Sequence, residues 1–407
     1  MKEPGNLKLV DADNLSPEAA ANRLIDQSVN VHASDLFLVS NEQHIAVQVR
    51  HLGIVRTLSI LGVDQGRRVM AHIKALAGMD IAEKRRPTDG RWIYEHDDQA
   101  VDLRISVIPT HHGEDFAIRL LRRGTDQFQF ENLGMTASQL AQFIAMIESP
   151  SGLILITGPT GSGKTATLYS ALNRLHDGSR KINTIEDPIE FAVDGLRQSQ
   201  VNPSIDVGFS ELLRGVLRQS PDVIMLGEIR DSETALTAVQ AANSGIVVFA
   251  TIHAPTAAGA VQSMRALGVH SHFLSTSLLG VLSQRLVRTL CTQCRQDFDI
   301  RDARLFEDVR PWLEPNQGET FYAAKGCDHC NKSGYDGRTG VFEIMPVSRA
   351  IRSMISDGLP ARDIRTKAIE EKMLPFRYAA LLKVALGKTS TEEVFRVIPS
   401  EHLLQTD

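Results

Sequence analysis

Residues 152–172 read GLILITGPTGSGKTATLYSAL: an apolar run, a glycine-rich turn and a helical continuation. The eight residues Gly158, Pro159, Thr160, Gly161, Ser162, Gly163, Lys164 and Thr165 match a phosphate-binding loop in full. The chemistry needs these residue types. Glycines let the backbone curl so that its N–H groups face phosphate oxygens, and the following helix presents its positive end to the same anion. Lys164 supplies a point charge for the β and γ phosphates, and the Thr165 hydroxyl is placed to ligate Mg²⁺. The stretch therefore predicts a site for ATP and Mg²⁺ at the end of a buried strand.

Working outward, three more short apolar runs follow: KINTIE, DVIMLGE and GIVVFATIH. Nearly continuous apolar strands alternating with helices predict a parallel sheet covered on both faces. In such sheets ligands gather at the carboxyl ends of the strands. A phosphate loop alone does not split ATP; a carboxylate must orient the attacking water. Glu186, Asp187 and Glu190 follow the first run and Glu228 the second, with Glu190 and Glu228 the favoured pair. His253 closes the third run, where it could sense the γ-phosphate.

Upstream, residues 1–15 read as a polar tail. Ser16-Pro17 supplies a helix cap and a first-turn proline, and the helix places Ala21, Leu24, Ile25 and Val29 on one face. Alternating stretches such as HIAVQVR, RWIYEH, VDLRISVI and DFAIRLL then predict strands, making 16–123 a small α+β domain. Residues 124–134 read as a linker, and 135–290 as the P-loop domain. After Phe273 the pattern reads as mostly helical, broken by a cysteine segment at 291–330 and resumed in a helical C-terminal region, 331–407. The predicted fold class is α/β: a RecA-like P-loop core with an α+β N-terminal domain and a zinc-binding, mostly helical C-terminal region.

The chain's four cysteines all fall in that segment, as Cys291-x2-Cys294 and Cys327-x2-Cys330. Two pairs of thiolates complete a tetrahedral site, which Zn²⁺ fits best. The N-terminus has no apolar core of signal-peptide length. No run approaches the ~18 apolar residues that would suggest a span; Phe273–Leu290 is interrupted by Ser283, Gln284, Arg285 and Arg288 among others. The expectation is a cytoplasmic protein, peripheral to the inner membrane through a partner. A net charge of −5 and 5% aromatic content argue against a nucleic-acid groove.

Taken together, GPTGSGKT, TIEDPIEF, LGEIRD, ATIHA, GVLSQRLVRTLC and GCDHCNKSGYDGRTGVFEIM resemble one family, the ATPases of type II secretion and type IV pilus assembly. The likeness runs from about residue 17 to 396, and includes Gly227 before Glu228 where other P-loop proteins carry an aspartate. It implies a homohexameric ring acting on an inner-membrane platform protein. Glu190 and Glu228 would organise the water and His253 sense the γ-phosphate. Arg104 and Arg119 would close over the phosphates, and Arg218 would reach across the ring. The cysteines resemble the assembly and export branch. The chain starts near the second N-terminal domain of longer members, so docking is expected to use another surface, and ASDLFL stands where many members have Ser-Asp-Ile-His. The competing expectation is a nucleic-acid motor, such as a helicase or a conjugative DNA-transfer ATPase.

Overall fold

The computed structural model describes residues 9–97, 99–122, 128–299 and 306–403. The chain divides into two compact units: Met1–Gly124 with Leu290–Gln296 and Ala324–Gly337, and Thr125–Thr289 with Asp297–Ala323 and Arg338–Asp407.

In the first unit the elements run α1 (Pro17–Asn30), β1 (Asp35–Ser40), β2 (His44–His51), β3 (Ile54–Gly62), α2 (Val63–Leu76), β4 (Thr88–His96), β5 (Gln99–Thr110) and β6 (Gly113–Arg122). Ser16 caps α1 by accepting from Ala19 N at 3.2 Å. The six-stranded sheet has the order β3-β2-β1-β6-β5-β4. In β2 every second residue is buried, the pattern of a sheet with one covered face. Ile45, Val47 and Val49 meet Ala21, Leu24 and Ile25 of α1 and Val69 and Ile73 of α2 in one core.

The second unit begins with α3 (Phe130–Leu133), α4 (Ala137–Ile147), β7 (Gly152–Thr157), α5 (Lys164–Leu175), β8 (Ile182–Glu186) and β9 (Arg197–Gln200). It continues with α6 (Phe209–Leu217), β10 (Val223–Leu226), α7 (Ser232–Asn243), β11 (Val247–Ile252), α8 (Ala257–Ala266), α9 (Ser271–Ser277) and β12 (Leu278–Leu290). Beyond lie β13 (Gln296–Asp299), β14 (Thr320–Ala323), β15 (Tyr335–Pro346), α10 (Arg349–Ser356), α11 (Ala361–Glu370), α12 (Phe376–Ala385), α13 (Thr391–Val397) and α14 (Ser400–Leu403). The main sheet has the order β15-β12-β7-β11-β10-β8-β9. β7, β8, β10 and β11 are buried at every position, because each feeds two cores. Leu153 and Leu155 face one cluster with Ala235, Val239 and Val261. Ile154 and Ile156 face the other with Phe143, Leu168 and Leu172. Each such side chain contributes about 1.5–3 kcal/mol by burial.

Two stretches differ from the sequence reading. Residues 278–290 and 335–346, expected within a mostly helical part, are long strands of the main sheet. Polar residues that interrupt this stretch have partners within the fold. Gln284 bonds the phosphate loop, and Arg288 is paired to buried Glu393 at 2.7 Å. Burial pulls the Glu393 carboxyl upward, but Arg396 and Arg288 outweigh it and hold it below its usual range. The second difference concerns 124–134. Residues 123–127 lie outside the described residues, but Phe128 is buried and stacks at 5.2 Å from Tyr169 and 4.8 Å from Phe191. The later half of the expected linker is thus packed into the second unit. Polar composition suggested a tether; the aromatic at 128 anchors it.

Candidate active site

The phosphate loop leaves β7 through Gly158 (φ +147°), Gly161 (+75°) and Gly163 (+89°), a region of backbone space that favours glycine. A Cβ on Gly158 would stand 2.4 Å from the Gln284 carbonyl oxygen, so the loop closes onto β12 as well as around its anion. Gln284 fixes this closure: its amide donates to Ser162 O at 2.9 Å and accepts from Thr167 Oγ1 at 2.9 Å. α5 begins at Lys164, so its free N–H groups open into the loop. Lys164 Nζ donates to Gly158 O at 3.0 Å and Pro159 O at 3.2 Å. Burial lowers its affinity for the proton, while Glu228 and Glu190 act the other way. Such a loop fits a polyphosphate: the lysine is a partly desolvated cation to which phosphate oxygens would add charge-assisted hydrogen bonds, and it stands between them and the carboxylates.

Lys164 and Thr165 share one cavity with Glu186, Asp187, Glu190, Gly227, Glu228 and Arg230. These come from the ends of β10 and β8, parallel to β7 in the same sheet and separated from it by β11. Glu186 is 4% exposed and takes hydrogen bonds from Tyr169, Thr184 and Gln198. Burial raises its pKa despite those bonds; it is a structural member of the strand end. Glu190, three residues past Asp187, reaches the cavity.

Glu228 is held between two basic side chains. Its Oε1 lies 2.5 Å from His253 Nε2, and its Oε2 accepts from Arg230 Nε. Arg230 also lies 3.5 Å from Asp187 Oδ2, so it links the carboxylates of two strand ends. The β10 end sits unusually close to β8. Gly227 N donates to Ile185 O at 2.8 Å, and a Cβ at 227 would be 3.2 Å from that same oxygen. A side chain there would need the β8 backbone to give by a few tenths of an ångström, so glycine suits this approach. The His253 loop is pinned by Thr157, whose hydroxyl donates to Ala254 O at 2.7 Å and accepts from Ala254 N at 2.8 Å.

Arg230 and Gln284 were missed by the sequence reading. Arg230 had a signal, two residues past Glu228 on a strand-end loop; Gln284 had none, since its strand was read as helix. Removing both Gln284 bonds should loosen the loop by roughly tenfold in affinity. Gln284→Ala is therefore expected to raise KM for ATP about tenfold with little change in kcat, as steady-state kinetics would read. A KM at the parent value would mean the loop needs no brace.

Arg218 ends α6 on an exposed position and does not line this cavity. Arg104 and Arg119 lie in the first unit, directly opposite each other on β5 and β6. They belong to a transverse row: Arg91 faces Arg104, Arg119 faces Asp35, and Asp35 faces Arg50. Asp35 lies 3.5 Å from Arg119 and 3.3 Å from Arg50, while Asp102 takes Arg91 through two bonds of 2.8 Å.

The four cysteines lie in the first unit. Their sulfurs fall within 4.8 Å of one another, with Cys291–Cys327 at 4.0 Å, Cys294–Cys330 at 3.7 Å and Cys327–Cys330 at 3.8 Å. Tetrahedral thiolate zinc places its sulfurs about 3.8 Å apart, so the set fits such an ion. Backbone N–H groups of Gly326, Cys327 and Gly334 donate to Cys294 and Cys330 sulfurs at 3.1–3.3 Å. Burial pushes Cys294 up to about 12. Burial also opposes ionisation of Cys330, yet the Cys327 and Gly334 amides and neighbouring thiols hold it at about 6.

A RecA-like sheet ending in this loop, with acids at the neighbouring strand tips, defines a P-loop ATPase. The chain belongs to the family described as type II/IV secretion system protein, whose family model matches residues 11–396. It is 41% identical over 397 residues to Type II secretion system ATPase E of Vibrio cholerae, covering 97% of this chain and 78% of that protein. It is 40% identical over 399 residues to Type II secretion system protein E of Dickeya dadantii, covering 98% and 79%. Among solved structures, the ATPase DotB of Legionella pneumophila aligns with a TM-score of 0.72 at 18% identity, over 96% of this chain and 98% of that one. The pilus retraction motor PilT with bound ADP aligns at 0.62 and 22%, over 92% and 95%. These two show the shared fold. The chain is an ATPase of the secretion and pilus class. No helix among the described residues is long and apolar enough to cross a membrane.

Proposed function

We propose that the chain hydrolyses ATP as a homohexamer to drive assembly of a type IV pilus or a type II secretion pseudopilus, acting on an inner-membrane platform protein from the cytoplasmic side. The observation that carries the reading is the shared cavity of Lys164, Thr165, Glu190 and Glu228, with His253 bonded to Glu228. Lys164 and the loop amides of Gly158–Thr165 hold the phosphates, and Thr165 offers its hydroxyl to Mg²⁺. Mg²⁺, when bound, draws charge from the β and γ phosphates. Glu228 holds the attacking water by accepting its proton's hydrogen bond, and Glu190 flanks it. His253, tethered to Glu228, changes partner when a γ-phosphate enters, and so reports its presence.

The arginine row of the first unit supports a role in binding anions, because Arg104 and Arg119 stand directly opposite on neighbouring strands, where like charges repel and an added anion is favourable. Arg104 and Arg119 then close over the phosphates, and Arg218 reaches a neighbouring subunit. Cys291, Cys294, Cys327 and Cys330 hold structural Zn²⁺. The coupling is tested by adding the purified cytoplasmic domain of a platform protein to the chain. Turnover per subunit should rise severalfold, together with a shift to the hexamer mass. Stimulation by DNA, with none by the platform domain, would transfer the chain to a nucleic-acid motor.

A further inference from the structure

Arg56 lies in β3, opposite Val49 of β2, and is only 5% exposed. Its Nη1 donates to the backbone carbonyl of Asn331 at 3.1 Å, the residue directly after Cys330. That carbonyl is held in a tight turn. Asn331 and Lys332 adopt left-handed φ values of 49° and 60°, sparsely populated for such residues. The turn is closed by Lys332 N donating to Cys327 O at 2.7 Å and Ser333 N to Cys330 O at 3.0 Å. Gly334 N donates to the Cys330 sulfur at 3.1 Å. Cys291 N donates to Gly334 O at 3.0 Å and ties the first cysteine pair to the second. Gly326 packs beneath, where a Cβ would stand 2.6 Å from Lys332 O. One small turn therefore fixes both the Cys330 sulfur and the carbonyl that Arg56 grips.

The charges agree with this geometry. Four thiolates around a divalent cation make a doubly anionic centre, and a buried guanidinium is costly without negative charge or aligned dipoles nearby. Groups that touch metal-site backbone orient the ligands and change metal affinity markedly. We propose that Arg56 is a positioning residue for the four-cysteine metal site, supplied by the N-terminal sheet. Metal loading and the ordering of β2–β3 are then one linked equilibrium, in which each favours the other by the same factor. The proposal rests on reading the cysteines as a zinc site, and is independent of the ATPase assignment.

The test uses the full chain, reconstituted with zinc under reducing conditions. Transfer of zinc to the chromophoric chelator 4-(2-pyridylazo)resorcinol should be about tenfold faster from Arg56→Ala than from the parent, the size expected for one charged hydrogen bond. Arg56→Lys, which keeps a cationic donor, should fall between. In the unmutated chain, stripping zinc should speed amide hydrogen exchange over residues 44–62 about tenfold and leave 152–157 unchanged. This second measurement does not depend on how well the variants fold. Equal release rates from Arg56→Ala and parent, or exchange over 44–62 indifferent to zinc, would overturn the proposal while leaving the zinc site standing. A chain that takes up no zinc would sink the site and the proposal together.

Discussion

Glu228→Gln is expected to bind ATP as the parent does and to hydrolyse it at least about a hundredfold more slowly, the range seen when one charged group facing a transition state is removed. The substitution keeps the volume of a side chain that is mostly enclosed between His253 and Arg230. What it removes is the negative charge and one acceptor oxygen. Arg230 then loses half of its bridge between the two strand ends, keeping Asp187 at 3.5 Å. Fluorescent-nucleotide titration beside single-turnover hydrolysis separates the two effects. Parent-like turnover would remove Glu228 from the chemistry and shift the assignment to Glu190, the other acid of the favoured pair in the cavity.

Lys164→Ala acts earlier, on binding. Its ammonium is half-sheltered, bonded to two loop carbonyls, and flanked by Glu228 and Glu190. Without it the phosphates meet those carboxylates with no intervening cation, so affinity for ATP should fall on the order of a hundredfold, as for loss of a desolvated charge contact. Isothermal titration with Mg·ATP would measure it. The two carbonyls of Gly158 and Pro159 also lose their donor, so a small loss of melting temperature should accompany the change. Affinity within a fewfold of the parent would contradict the loop's assignment.

Much of the core was legible because its signals are local. The glycine spacing of 158–163, the apolar runs around it and the acids that end them each speak through a handful of adjacent residues. The N-terminal strands were equally plain, since one covered face imposes strict alternation on β2. What escaped depends on partners far along the chain. β12 carries Gln284 and Arg288 inside a buried strand only because Ser162 and Glu393 satisfy them, and no nearby residue reveals that. Residues 124–134 read as a linker, and nothing adjacent in the sequence marked Phe128 as packed against Tyr169 and Phe191. The cysteine spacing identified four ligands, but not their grouping with the N-terminal sheet, which turns on Arg56, some 270 residues upstream of the carbonyl it holds.

The row of cations across β4, β5, β6, β1 and β2 has a consequence for handling the protein. Arg91, Arg104, Arg119 and Arg50 share a line with Asp35 set among them, and Asp102 holds Arg91 at its end. In dilute buffer this face repels itself; at physiological ionic strength, where fields fade over about 8 Å, the repulsion softens. Sulfate or phosphate in the medium therefore does more than screen: a multivalent anion resting on that row adds to the counter-charge of Asp35 and Asp102, and the N-terminal sheet should be most robust in buffers that contain one.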